Sequence, residues 1–225
     1  KRITGSDIAM LKKDINRFIE AAFKKEYQVT GDTAYRAEGK NIIARDVAVK
    51  FVKKILDKDA SYAPFNLLGI EEDHVHTMQL TSGEMVRLGG SIDRVDEKEG
   101  KVRILDLKTG KDSLEFSGIE KVFQRGKREK VVLQTFFYSL LYPDDTLHLV
   151  PSVYNKNVLF QDESWTLWDK VQNSAVLDFN RYREGYVEQL RTVLDEIFDP
   201  LNVFDQVDDI KMCQNCDYNV ICQRS

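Results

Sequence analysis

The stretch that most constrains this chain is residues 89–111, GGSIDRVDEKEGKVRILDLKTGK. Two runs rich in β-formers, around Ile92–Val95 and Val102–Leu107, flank a Glu99-Gly100 pair, and a glycine in a two-residue connection between such runs reads as an antiparallel hairpin. With the turn centred there, paired positions have numbers summing to 199, so Val95 falls beside Ile104, Ser91 beside Lys108 and Asp93 opposite Asp106. Directly opposed residues have Cβ atoms roughly 4.5–5.5 Å apart, and like charges there repel. Period-two alternation keeps Lys108 on the face of Asp106. Two carboxylates and an ammonium thus converge on a largely apolar hairpin. A buried charge without a partner is costly, and one Asp–Lys ion pair answers only one of the acids. A divalent cation with hard oxygen ligands would use both. On spacing alone, a metal site and an exposed, solvated hairpin end are equally open.

The chain has 225 residues, 42% hydrophobic and 31% charged, which suits a folded chain of one large domain or one domain with an appendage. No apolar run approaches the roughly 20 residues that span a bilayer. The first residues, KRITGSDIAM, contain neither a signal-like apolar stretch nor an initiator Met, so a cytoplasmic fragment of a longer protein, with site elements upstream, is expected. A net charge of −4 argues against an all-round basic surface but leaves room for a local groove. Residues 121–130, KVFQRGKREK, hold five Lys or Arg (Lys121, Arg125, Lys127, Arg128, Lys130) and one Glu; on charge alone this is a solvated loop.

TGSDIAMLKKDINRFIEAAFKKEY and IIARDVAVKFVKKILDKDA have helical spacing. From Pro64 the pattern changes to strands: FNLLGIEE, HTMQLTSGEMVRLGGSIDRVD and KVRILDLKTG. VVLQTFFYSLLY reads as a buried helix stopped by Pro143, TLHLVPSVYN and NVLFQ as further strands, and RYREGYVEQLRTVLDEIFDP as an amphipathic helix. The order implies an α/β (α+β) fold with a mixed central sheet flanked by helices. It divides into an N-terminal helical segment (1–60), a core (61–205) and a Cys-rich tail (206–225) belonging to the same domain. His74 and His76 read as polar positions at a strand edge. Trp165, Trp168 and the tyrosines at 182–186 read as core before base-stacking rings.

GGSIDRVD followed by ILDLKTGK closely resembles the RecB/AddB-like branch of the PD-(D/E)XK nuclease superfamily, with Asp93 on one strand and Asp106-Leu107-Lys108 on the next. The branch has a Gln-x-x-x-Tyr motif on the following helix, here QTFFY with Gln134 and Tyr138. It also has an upstream strand Glu, for which LLGIEEDH offers Glu71 in preference to Glu72. The resemblance implies a restriction-endonuclease-like core. It implies Mg²⁺ or Mn²⁺ held by Asp93, Asp106 and the Leu107 carbonyl with Glu71, and a Lys108 that orients the attacking water. Gln134 and Tyr138 would position the lysine or the DNA backbone. Arg94 reads at least as well as an ion-pair partner of a nearby acid. The basic stretch directly before Gln134 gains weight as a DNA contact.

Cys213, Cys216 and Cys222 form C-x₂-C-x₅-C, and the chain has no other cysteine. Such a tail resembles the three C-terminal ligands of an AddB-like [4Fe-4S] cluster whose fourth ligand lies far upstream. Neither that cysteine nor the upstream His of some members is present here, in keeping with a fragment; zinc completed by His or Asp217, or no metal, are the other readings. The expected function is a metal-dependent DNA nuclease, an exonuclease before an endonuclease. It would act on single-stranded ends in repair or recombination, with a helicase-like partner or upstream domain. The competing readings are an inactive DNA-binding module of the same fold, an RNA-directed or defence nuclease, and a redox domain built on the tail.

Overall fold

The computed structural model describes residues 1–29, 35–124, 129–203, 205–214 and 216–224. The chain opens with β1 (Arg2–Ile3), α1 (Gly5–Lys13), α2 (Ile15–Glu26) and α3 (Lys40–Tyr62), followed by β2 (Phe65–Gln79), β3 (Met85–Lys98) and β4 (Lys101–Leu107). After these come β5 (Glu115–Phe116), α4 (Ile119–Val122), α5 (Lys130–Leu141), β6 (His148–Tyr154) and α6 (Lys156–Phe160). β7 (Trp168–Asp169), β8 (Ser174–Ala175), α7 (Asn180–Phe198) and a 3₁₀ turn at Ile210–Cys213 complete the chain.

The β3–β4 hairpin has the expected turn and register. Glu99 and Gly100 both take positive φ, 55° and 77°, as a turn matched to strand twist requires. The ladder runs from Lys98↔Lys101 through Val95↔Ile104 to Arg94↔Leu105. Beyond that point β4 continues in parallel with β6, pairing Asp106 with Val153 and Leu107 with Tyr154. The sheet order is β1-β2-β3-β4-β6. It is mixed, because α5 supplies the crossover that a parallel β4–β6 pair needs. A second, small sheet joins β5, β7 and β8.

Two local expectations change. The first helix is two helices, α1 and α2, separated at Asp14, whose φ of −102° and ψ of 7° leave the helical region; apolar periodicity continues across the break and so hides it. NVLFQ is not a strand but the short helix α6. The Asn155 side chain caps it by accepting from the Val158 N–H at 2.9 Å, and Val158 and Leu159 are buried side by side, a pattern that a five-residue apolar run shares with strands.

The core lies between the sheet and the helices that follow it. Phe136 of α5 is fully buried among Phe116, Phe179, Tyr182 and Tyr186 at centroid distances of 5.3–5.7 Å. Tyr186 also donates to the Leu133 carbonyl at 2.8 Å. Trp165 packs partly buried against the same core, so these rings serve packing, whereas Trp168 is 39% exposed.

The C-terminal end of α3 is tied to the hairpin by buried charges. Asp59 receives Arg94 Nη1 at 2.7 Å and Nη2 at 3.1 Å. Asp96 receives Arg94 Nε at 3.0 Å and both Nε and Nη2 of Arg103, at 2.9 and 2.8 Å. Arg103 also donates to the Tyr154 hydroxyl at 3.0 Å and lies 3.9 Å from the centroid of the Tyr62 ring. Two arginines and two aspartates balance in charge, which makes their burial tolerable. Arg94 therefore has the ion-pair role expected of it.

Candidate active site

The site forms where β3 and β4 part. The register that pairs Arg94 with Leu105 would next oppose Asp93 and Asp106, but there the Asp93 side chain takes over from the backbone: its Oδ2 accepts the Leu107 N–H at 2.7 Å. Asp93 is half-buried and Asp106 wholly buried. Lys108 folds back along the strand, with Nζ 2.7 Å from Asp106 Oδ1, and its backbone N–H donates to the Tyr154 carbonyl at 2.9 Å.

The second oxygen of Asp106, Oδ2, is buried and has no hydrogen-bond partner among the described residues. Burial pushes the Asp106 carboxyl above the usual carboxylate range; the hydrogen bond and charge of Lys108 pull it down, and the nearby charges of Asp93 and Asp112 add to the rise. The unanswered Asp106 oxygen and the neighbouring Asp93 carboxylate are oxygen donors that suit a hard divalent cation. Mg²⁺ keeps several waters and needs only one or two protein carboxylates. The set therefore fits the metal that the resemblance implies.

Gln134 and Tyr138 lie one turn apart on α5, and Gln134 Nε2 donates to the Tyr138 hydroxyl at 2.7 Å. Tyr138 reaches the hairpin because residue 90 is glycine. A Cβ there would stand 3.4 Å from the Tyr138 ring and 3.3 Å from Leu141, tighter than ordinary packing. Gly90 thus brings α5 against β3 three residues before Asp93; the Gly-Gly pair was its only signal in the sequence.

Glu71 is placed differently from its neighbours. It is exposed with φ of 51°, and the β2–β3 register, Ile70↔Arg94 and then Glu72↔Ile92, sets it opposite Asp93 with no shift at this point. Glu72 folds over Gly69, its carboxylate oxygen 2.5 Å from where a Cβ would be, and lies 3.9 Å from His74 Nε2. Among the described residues no group of three or more His, Cys, Asp or Glu is gathered to hold a metal ion, so the Asp93–Asp106 pair stands without a third acid. The same holds for the tail: Cys213 is buried, Cys216 and Cys222 are half-buried, and all three are free thiols. As placed, the cysteines do not fit a cluster. Of the basic residues, Lys121 is exposed on α4 and bonds Gln124 at 3.2 Å, and Lys130 is exposed at the start of α5. Arg125, Lys127 and Arg128 lie outside the described residues.

Sequence reasoning missed Gly90, the Asp112 charge near Asp106, and Asp59, whose partners come from a strand 35 residues away. No described helix is long and apolar enough to cross a membrane. The family model of the PD-(D/E)XK nuclease superfamily matches residues 6–223. No curated protein matches the chain to a significant degree.

Proposed function

The chain belongs to the PD-(D/E)XK nuclease superfamily, and from that premise we propose that it hydrolyses phosphodiester bonds of DNA at a centre made by Asp93, Asp106 and Lys108. The mixed five-stranded sheet with flanking helices is the restriction-endonuclease-like architecture of such enzymes. The single observation that carries the assignment is Asp106: a buried carboxylate with one oxygen held by Lys108 and the other unanswered. A purely structural Asp would have both oxygens satisfied.

Asp93, Asp106 and the Leu107 carbonyl would hold Mg²⁺ or Mn²⁺. Such a cation, when bound, supplies charge that polarises a phosphoryl oxygen and acidifies a water. Asp106 keeps the Lys108 ammonium at the site, where it orients the attacking water and screens charge building on the phosphoryl oxygens. Attack forms one P–O bond and breaks the other in line. The Gln134–Tyr138 pair, held against the hairpin through Gly90, positions the lysine or the substrate backbone. Glu71, opposite Asp93 in the β2–β3 register, would join the two aspartates if its positive-φ backbone turns the exposed carboxylate inward on substrate binding. Lys121 and Lys130, with Arg125, Lys127 and Arg128 between them, offer phosphate contacts ahead of α5.

Single-stranded ends, exonuclease action, a place in repair or recombination and a helicase-like partner follow by analogy within the superfamily. The iron–sulfur reading rests on the C-x₂-C-x₅-C spacing alone, and a cluster takes no part in the proposed chemistry. A test uses end-labelled and internally labelled single-stranded DNA, duplex DNA and RNA with Mg²⁺, Mn²⁺ or EDTA. Cation-dependent cleavage of DNA, lost in Asp106→Ala and Lys108→Ala, is expected. Cleavage that survives either substitution sinks the assignment. Binding without cleavage in every cation favours the inactive module, and preference for RNA favours the RNA-directed enzyme.

A further inference from the structure

Positive charge is concentrated in the N-terminal helices. Residues 1–62 contain 14 Lys or Arg and 9 Asp or Glu, whereas residues 63–225 contain 19 and 28. Much of it lies on α3, whose C-terminal end is pinned near the hairpin turn: Lys98 Nζ donates to the Tyr62 carbonyl at 2.6 Å, and Asp59 holds Arg94. Going back toward its N-terminus, α3 runs beside α6, where Phe51 meets Phe160 edge-on at 5.1 Å. α6 itself starts at the site. Its first residue, Lys156, donates its backbone N–H to the Gly110 carbonyl at 2.9 Å, two residues past Lys108.

A strip therefore leads away from the carboxylates: Lys156, then Phe160 one turn on, then Lys54 and Lys50 one turn apart on α3. Phe160 is 39% exposed, and Lys54 Nζ lies 5.9 Å from its ring centroid. Lys50, Lys54 and Lys156 have no ion pair among the described residues. Two acids that share a cavity with Lys54 are engaged elsewhere, Asp162 by Lys58 at 2.8 Å and Asp57 by Lys12 at 2.6 Å. An accessible aromatic face bordered by unpaired ammonium groups is the chemistry that binds single strands: bases stack on the ring and phosphates meet the cations.

We propose that the α6–α3 strip is a track for single-stranded nucleic acid, with Phe160 stacking a base and Lys50, Lys54 and Lys156 contacting phosphates. Its direction into the site rests on the nuclease reading; its binding chemistry does not. The test measures fluorescence anisotropy of labelled oligothymidylate and oligouridylate, each about 16 nucleotides long, the upper site size of one single-strand-binding fold, in EDTA. Phe160→Ala should weaken binding about ten-fold, within the range for one stacked base, and Phe160→Trp should restore it. Lys50→Ala with Lys54→Ala should lower the slope of log affinity against log salt by about 1.4, at about 0.7 per single-strand phosphate contact. Loss with either oligonucleotide supports the track, and the two arms tell DNA from RNA. Unchanged affinity and slope in the lysine variant, whose positions are exposed and tolerate truncation, overturn it even if Phe160→Ala fails to fold. Duplex binding stronger than single-strand binding also overturns it. Cleavage by the wild type is scored separately on bis(p-nitrophenyl) phosphate, too small to reach the strip. Cleavage with no strip effect removes the track and leaves the nuclease reading, and a strip effect without cleavage does the reverse.

Discussion

Replacing Asp106 with Asn should make the protein more stable and inactive at once, and the gain can be worked from the geometry. Asp106 is wholly buried, Oδ1 is paired with Lys108 at 2.7 Å and Oδ2 has no partner. An unsatisfied charged group costs the upper part of roughly 1–3 kcal/mol, and a neutral amide of the same shape costs less. Set against this is the weaker bond from Lys108, discounted because its side chain is 26% exposed and can rehydrate. The net is a gain of about 1 kcal/mol, or roughly 2–4 °C in Tm for a chain of this size. Burial raises the Asp106 carboxyl above its usual value in the fold. Its contribution to wild-type stability is therefore complete below the unfolded value of about 3.9 and is lost as pH rises through the raised folded value. Asn does not titrate, so the variant's advantage should be absent near pH ~4 and fully open at neutral pH. Saturating Mn²⁺ should reverse the order, because a cation at ten times its dissociation constant adds about 1.4 kcal/mol to the wild type alone. The assay is thermal unfolding by circular dichroism in EDTA and in Mn²⁺ across pH. An Asp106→Asn protein about 1 kcal/mol less stable than wild type in EDTA at neutral pH would refute the premise that the buried carboxylate is uncompensated.

Other perturbations test the frame around the site. Asp59→Ala leaves Arg94 with Asp96 alone inside the sheet, and urea unfolding should show a loss of about 3–5 kcal/mol; a loss below about 1 kcal/mol would mean that water reaches these arginines. Tyr186→Phe removes the donor to the Leu133 carbonyl and should cost about 1 kcal/mol by the same measurement, since the aromatic packing is retained. Gly90→Ala presses a methyl group on Tyr138 and Leu141 and should lower kcat with far less change in Tm, as expected if α5 must lie close to β3 to position Gln134 and Tyr138.

The charges of the hairpin were legible because a tight turn and period-two geometry are local. Once Glu99-Gly100 is the turn, the pairs from Lys98↔Lys101 to Arg94↔Leu105 follow, including Val95↔Ile104. The same arithmetic opposes Asp96 to Arg103, so half of the buried ion network was also available from the sequence. Its other half was not: Asp59 and Tyr154 approach from a helix and a strand far along the chain, and no local pattern reports such an approach. NVLFQ shows the same limit, since a short apolar run has no period long enough to separate helix from strand, and a single Asn155 cap decides it.

By itself the sequence determined the turn, the register and the clustering of two acids and a lysine, because backbone sterics and side-chain alternation act over a few residues. Only the tertiary structure decided that Asp106 is sealed from water with one oxygen unanswered, that Glu71 takes a positive φ and stays exposed, and that a glycine admits Tyr138. It alone set α3 and its lysines beside Phe160. Burial and desolvation depend on what the rest of the chain packs against, and that information is spread over elements too distant for any local pattern to carry.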